Sequence, residues 1–219
     1  MIFPTYKLEI QKIAEGFLSV AGCDEVGVAP LAGPVVAATV ILDPATIGKQ
    51  RSKNKWWYRV RDSKTVNEAE RGELEKFIKE HCLDFGVGIV THGTIDRINI
   101  HQASLLAMKK SVDGLKVKPD FLLLDGRFKI QNLDVPQQAI INGDAKVLSI
   151  AAASIMAKVA RDEILSELDE KYPQYGFMKH KGYPTKQHKM AILKFGVLPV
   201  HRKSFAFIQG CLTPLEVNL

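Results

Sequence analysis

Two adjacent acids, Asp24 and Glu25, interrupt an apolar segment just before Gly27 and the prolines Pro30 and Pro34. Like charges that close repel each other, and burying them unpaired is costly or forces protonation, so a bound cation is the economical way to keep both. On a strand their side chains face opposite sides, which lets one ligate directly while the other reaches round the strand's end. Solvated acids at a strand terminus would explain the pair without any chemistry. Asp125 follows Phe121-Leu122-Leu123-Leu124 and precedes Gly126; taken alone, Asp-Gly after a buried strand is an ordinary turn. Yet Asp24 and Asp125 stand at the ends of two expected core strands, where open α/β sheets collect their chemistry. Asp144 lies between Asn142-Gly143 and a long helical stretch, a position that also suits a helix N-cap. No His or Cys cluster accompanies these carboxylates. Such hard oxygen donors suit Mg²⁺ or Mn²⁺ rather than zinc, and two ions about 3.5–4 Å apart could activate water for phosphodiester hydrolysis.

The elements that would position these acids follow from periodicity. An amphipathic helix is expected over 6–16, an apolar strand over 17–26, and a β-branched strand over 35–42 that ends at Asp43-Pro44, the two strands forming a hairpin. A charged amphipathic helix over 67–81 precedes a strand over 85–90, a helix over 99–112 and the 121–124 strand. A short strand at 139–141 leads through Asn142-Gly143 into a helix over 147–171, stopped at Tyr172-Pro173. Its Ala151-Ala152-Ala153-Ser154 patch would let it lie close against the sheet. The pattern predicts a mixed α/β layer fold with a helical C-terminal extension.

The chain has 219 residues, 46% hydrophobic and 25% charged, enough to bury one sizeable core, so one domain over 1–219 is expected, with a C-terminal helical segment from about 173. Cys23, Cys82 and Cys211 are odd in number, widely spaced and without a C-x-x-C pair, and are expected to be reduced thiols. With no leader-like start and no membrane-length apolar run, a soluble cytoplasmic protein is expected. The formal charge of +6 favours a polyanionic partner, although a solvated basic surface meets the same count. The one compositional anomaly is Lys49–Arg61, where six cations surround Trp56-Trp57-Tyr58 without an acid. It reads as a long loop, either gripping phosphates while its rings stack on bases or pinned to the core by its aromatics.

The motifs taken together resemble the ribonuclease HII family. They are Gly22-Cys23-Asp24-Glu25-Val26-Gly27, the stretch 30–38 beginning Pro30-Leu31-Ala32-Gly33-Pro34, Asp62-Ser63-Lys64, Leu124-Asp125-Gly126, Gly143-Asp144-Ala145-Lys146, the run from Ser149 to Asp162, and the run from His180 to His188. The resemblance spans roughly 18–207 and implies a ribonuclease H-like five-stranded mixed sheet flanked by helices, with a C-terminal helical segment closing the substrate groove. It also implies hydrolysis of the RNA strand of RNA–DNA hybrids and of duplex DNA with embedded ribonucleotides. Two Mg²⁺ or Mn²⁺ ions would be held by Asp24, Glu25, Asp125 and Asp144, with Asp24 and Asp125 shared between the ions. By the same resemblance, Tyr183 would pack on the sugar at the RNA–DNA junction, and Lys64 and Lys146 would lie near the phosphate backbone; a monomer is expected.

One departure stands out: Gly27-Val28-Ala29 replaces the family's Gly-Arg-Gly, whose backbone holds the 2′-hydroxyl while its arginine adds a phosphate contact. The arginine charge is lost, and a Cβ at Ala29 would be strained if the loop required a positive φ there. The Lys49–Arg61 segment could replace the lost contact. Two rivals follow from the altered loop. A ribonuclease HIII-like nuclease is disfavoured because fewer than twenty residues precede the first strand, where that family carries a substrate-binding domain. A catalytically silent hybrid-binding module is disfavoured by retention of every acid.

Overall fold

The computed structural model describes residues 3–47 and 55–212. Five strands form one sheet: β1 (Val20–Val26), β2 (Val35–Leu42), β3 (Cys82–Val90), β4 (Phe121–Asp125) and β5 (Gln137–Ile140), in the order β3-β2-β1-β4-β5. The first three are antiparallel neighbours, whereas β4 runs parallel to β1 and β5 parallel to β4. This is the mixed sheet expected, and its topology places the C-terminal ends of β1 and β4 side by side. β2 is buried along its whole length, as its unbroken β-branched run requires.

Helices cover both faces. They are α1 (Lys7–Ala14), α2 (Trp56–Arg59), α3 (Glu68–His81), α4 (His92–Ile98), α5 (Ile100–Asp113), α6 (Leu148–Lys171), α7 (Phe177–His180), α8 (Lys186–Phe195) and α9 (Ala206–Leu212). Strand alternation sends Val36, Ala38 and Val40 into a core with Ala151, Ala152 and Ile155 of α6, and Cys23, Ala37, Leu122 and Leu124 into a second core with Ala103, Ala107 and Met108 of α5. Helix α6 lies very close to β1: a Cβ at Gly22 would sit 2.2 Å from the Ser149 carbonyl carbon, so glycine and the alanine patch together set the contact. The C-terminal turns and helices share a third apolar cluster with Leu31 and Ala32, packing Tyr175, Phe177 and Ile192 against the loop after β1.

Several boundaries differ from expectation, among them β3, which begins at Cys82 rather than Phe85, and β5, which spans Gln137–Ile140 rather than 139–141. The first strand begins at Val20 rather than Phe17, because Phe17 turns aside to meet Phe121 at 4.7 Å between ring centroids. The helix expected over 99–112 is preceded by α4, which buries only Ile95 and so carries no apolar period; Asn99, at φ 66°, separates the two. Within Lys49–Arg61, residues 49–54 lie outside the described residues, and Trp56–Arg59 forms a helical turn rather than loop. Cys23, Cys82 and Cys211 are free thiols. Among the described residues no helix is long and apolar enough to cross a membrane.

Candidate active site

Asp24 and Asp125 occupy the same face of the sheet. The register Cys23↔Leu124 makes them neighbours at the ends of two parallel strands, and both turn toward α6 because Cys23 and Leu124 turn toward α5. Asp144 reaches them from the turn before α6. Asp125 Oδ1 accepts the Gly143 N–H at 2.7 Å, and a Cβ on Gly143 would stand 2.7 Å from Ile150 Cδ1 and 3.2 Å from that same Asp125 oxygen. Asn142 takes the left-handed conformation at φ 54°, tightening the Asn-Gly-Asp turn. Carboxylate oxygens of Asp24, Asp125 and Asp144 consequently all lie within 4.8 Å of one another.

An N-cap role for Asp144 does not survive. The cap residue of α6 is Val147, and the helix start is served by the distant Glu9, whose Oε1 accepts the Ser149 N–H at 2.8 Å. Thr5 adds a two-way backbone bridge, donating to Lys146 O and accepting from Leu148 N–H. Capping from α1 leaves Asp144 free to face the other acids.

Glu25 points to the opposite face, toward Ser104 of α5, yet lines the same cleft, so the adjacent pair divides between the two faces as alternation requires. The cleft holds about 260 Å³ and is lined by Asp24, Glu25, Asp125, Ser63, Lys64, Lys158, Arg161, Tyr183 and the loop from Val26 to Ala29. Asp24 is only 4% exposed. Burial, then repulsion from Glu25 and Asp125, raises its pKa well above the ordinary carboxylate range. The pKa of Glu25 rises through burial and Asp125, and that of Asp144 through burial, Asp125 and Asp62. No Lys or Arg forms a salt bridge with any of these acids among the described residues. A crowded, desolvated, all-oxygen donor set with no salt-bridged cation, offset only in part by the Lys64 charge, fits hard divalent cations.

Lys64 is brought to the cleft by a short turn that Asp62 caps, its Oδ1 accepting the Lys64 N–H at 2.9 Å, while Ser63 Oγ meets Ser154 Oγ of α6 at 2.9 Å. Partial burial pulls the Lys64 pKa down, but Asp62, Asp144 and Asp24 outweigh it and hold the value above normal, keeping the ammonium charged. Lys146 is not among the lining residues; it is exposed, with Nζ donating to Ile141 O at 2.5 Å. Gly27, Val28 and Ala29 all line the cleft, as does Tyr183, which is 40% exposed.

The concern over Ala29 is overturned. Positive φ in this loop falls on Gly27 (+90°) and Gly33 (+80°), and Ala29 is outside the left-handed region, so its methyl carries no backbone strain. What holds the loop is a pair of buried arginines, 1% and 0% exposed, that sequence reasoning missed. Arg202 donates to the carbonyls of Gly27, Val28, Gly33 and Pro34, and Arg161 to those of Ala32, Pro34 and Lys181. Burial lowers both pKa values, that of Arg202 to about 9. Only the number of inward-facing carbonyls could have signalled them, and no sequence pattern encodes that. With its carbonyls engaged, the loop leaves the Val28 and Ala29 N–H groups without an internal acceptor among the described residues.

Tyr183 is set by a cluster of three histidines, His180 stacked on His188 at 4.3 Å between ring centroids and His201 tilted against His188 at 5.3 Å. Gly182 N–H donates to His180 Nδ1 and Leu198 N–H to His201 Nδ1, which puts the ring protons of both on Nε2. His201 Nε2–H faces His188 Nε2 at 3.1 Å, so His188 carries its proton on Nδ1 and donates it to the Tyr183 carbonyl at 3.0 Å. Leu31 N–H donates to Gly182 O at 2.8 Å, joining the tyrosine turn to the loop.

A five-stranded mixed sheet flanked by helices, with acids converging at the ends of its central parallel strands, defines a nuclease with the ribonuclease H-like fold. The family model described as Ribonuclease HII matches residues 21–208, and the chain belongs to that family. It is 49% identical over 201 residues to a Ribonuclease HII of Desulfitobacterium hafniense (strain DSM 10664 / DCB-2), covering 92% of this chain and 74% of that one. The ribonuclease H2 structure from Pyrococcus horikoshii OT3 shares the fold at 24% identity and TM-score 0.75, over 89% of this chain and 97% of that one. Bst-RNase HIII in complex with Mn²⁺ does so at 19% identity and TM-score 0.63, over 89% of this chain and 69% of that one. The protein is thus a type 2 ribonuclease H, a hydrolase of RNA in RNA–DNA hybrids from a divalent-metal-dependent family.

Proposed function

We propose that this ribonuclease is an endonuclease that cuts both RNA–DNA hybrids and DNA duplexes with embedded ribonucleotides, using two divalent ions and leaving 3′-hydroxyl and 5′-phosphate ends. The convergence of Asp24, Asp125 and Asp144 oxygens within 4.8 Å carries the reading. These three, with Glu25 from the other face, would hold Mg²⁺ or Mn²⁺. When bound, such ions activate water and offset charge on the phosphate. The chain's own groups then have separable tasks. Lys64 holds a permanent positive charge beside the acids, where a phosphate must lie. Tyr183 offers its ring to the sugar from a turn fixed by His188. Val28 and Ala29 present N–H groups to a 2′-hydroxyl or phosphate, which the inward-facing carbonyls of the loop cannot oppose. Lys146, tied to Ile141 O, reads as a more peripheral phosphate contact. Monomeric action in the cytoplasm, in DNA replication and repair, is part of the same proposal.

The test is cleavage of a labelled duplex with Mn²⁺ or Mg²⁺, with and without EDTA. Loss of most activity in Asp24→Asn and Asp125→Asn, with 3′-hydroxyl ends on the parent enzyme's products, supports the reading; 2′,3′-cyclic phosphate ends or undiminished cleavage in EDTA would overturn it. A ribonuclease HIII-like preference for long hybrids is the second reading, favoured by the absent arginine in Gly27-Val28-Ala29. A silent binding module would shift the duplex on a gel without shortening it.

A further inference from the structure

The basic and aromatic residues described in Lys49–Arg61 are mostly engaged within the fold, Lys55 remaining exposed: Arg59 and Arg61 pair with Glu70 and Glu73, and Trp56 stacks on His81 at 5.4 Å. The same combination is found, exposed, beside the acids. Arg127, Phe128 and Lys129 directly follow Asp125 and Gly126, and all three face solvent. Neither cation forms a salt bridge among the described residues. Phe128 is 56% exposed, although its apolar ring gains nothing from water. The edge of His101 props it, with ring centroids 4.5 Å apart and planes at 70°. The segment is also anchored, since the Gln137 side-chain amide accepts from Ile130 N–H at 2.9 Å and donates to Ile130 O at 3.0 Å.

We propose that Phe128, propped by His101 and flanked by Arg127 and Lys129, is a second seat for the nucleic acid. It would stack on a base or sugar while the two cations meet adjacent phosphates. His101 belongs to α5, so this seat lies on the α5 side of the acids, whereas Lys64 and Tyr183 lie on the α6 side. A duplex centred on Asp125 is then gripped from both sides. Three residues from Asp125 reach about 10 Å at most. At 3.4 Å of rise per nucleotide, this places the contact within about three nucleotides of the cut. The inference rests on the active-site reading.

The experiment measures hybrid binding by fluorescence anisotropy in EDTA, with 2-aminopurine placed singly at positions flanking the cleavage site. Phe128→Ala is expected to raise Kd by about 5- to 100-fold and to abolish the stacking signal at one or two positions, while Phe128→Trp retains both. Arg127→Gln and Lys129→Gln should each reduce the salt slope by about one. An unaltered Kd for Phe128→Ala, or equal losses in the alanine and tryptophan variants without any position-dependent signal, overturns the seat. Asp125→Asn run in parallel separates the two readings. If it binds without cutting, the active-site reading stands and a failed Phe128 test removes only the seat; if it cuts normally, the active site itself is wrong.

Discussion

Asp24 is the residue on which chemistry and stability conflict most directly. Its carboxylate is buried beside Glu25 and Asp125, and the raised pKa values mean that the folded protein holds protons on this cluster which the unfolded chain releases. For acids raised in this way, native stability is full below the ordinary carboxylate range and declines as pH rises from there toward the elevated folded values. In EDTA the protein should therefore lose stability across that rise, and added Mg²⁺ should restore it by binding only the folded site. Asp24→Asn removes the repulsion. It is expected to raise the unfolding midpoint in EDTA at pH 8 while lowering kcat on the order of 10²–10³-fold with metal. Thermal melts with paired kinetics check this, and a variant that is both less stable and fully active would contradict it. That Asp24 and Asp125 would meet was legible in the sequence because each closes an expected core strand, although neither acid alone outweighed an ordinary strand end or turn. The roles of Arg161 and Arg202 were not, since both depend on carbonyls that meet only after folding.

At the scale of elements, α1 acts on the active site without touching it. Asp144 belongs to the turn that opens α6, and that helix start is fixed by Glu9 from α1. Burial raises the Glu9 pKa to about 7, and Glu9 Oε2 has no hydrogen-bond partner. Below about pH 4.5 Glu9 is neutral in both states; as pH rises toward 7 the unfolded chain ionises first, and the stability Glu9 provides declines. Glu9→Gln keeps an acceptor for Ser149 N–H without the ionisation, so its stability relative to the parent should improve from pH 5 to pH 8. Glu9→Ala instead removes the cap, costing about 0.5–2 kcal/mol, and should lower kcat by loosening Asp144. Urea titrations at two pH values decide the matter, and parallel curves for parent and Glu9→Gln would refute it. This linkage spans 140 residues of chain, which is why Asp144 resembled a local N-cap in the sequence. The starts of α1, α3, α5 and α6 were readable to within one residue, whereas β1, β3 and β5 begin two or three residues from expectation, because only β2 is an unbroken β-branched run that marks its own ends. α4 escaped notice because a seven-residue helix that buries one side chain shows no period.

Across the whole molecule, the C-terminal helices and the sheet meet at the loop that carries Val28. Arg202 pins that loop from one side, and the histidine stack fixes the adjoining Tyr183 turn. Since the loop's shape is secured by buried arginines and Ala29 is unstrained, the lost family arginine is a deficit of charge rather than of conformation. Val28→Arg alone should then raise cleavage of a single-ribonucleotide duplex relative to a long hybrid by about tenfold or more, the worth of one charge-assisted phosphate contact. Adding Ala29→Gly should contribute little further. Ratios of kcat/KM on the two substrates measure this, and an unchanged ratio would mean that backbone groups alone read the junction.

The histidine stack gives the same junction between sheet and C-terminal helices a dependence on acid. Each ring already has one nitrogen donating and one accepting, so an added proton sets donor against donor. Burial, with repulsion from the neighbouring rings, lowers His188 and His201 to about 4. The unfolded chain takes up protons near pH 6.5, so the stability these residues provide is full above that value and is lost as pH falls toward 4. The buried acids act in the opposite direction over an overlapping range, and variants are needed to separate the two. His188→Asn retains an N–H donor for the Tyr183 carbonyl but cannot take up a proton. It leaves His201 Nε2–H unmatched, which should cost about 1–3 kcal/mol at pH 7.5. Between pH 7.5 and pH 5 it should lose less stability than the parent, and its KM should rise less than that of His188→Ala, which supplies no donor to the turn. If parent and His188→Asn lose stability in parallel, His188 is not the acid-sensitive group; if both variants have the same KM, the His188 bond does not set the position of Tyr183.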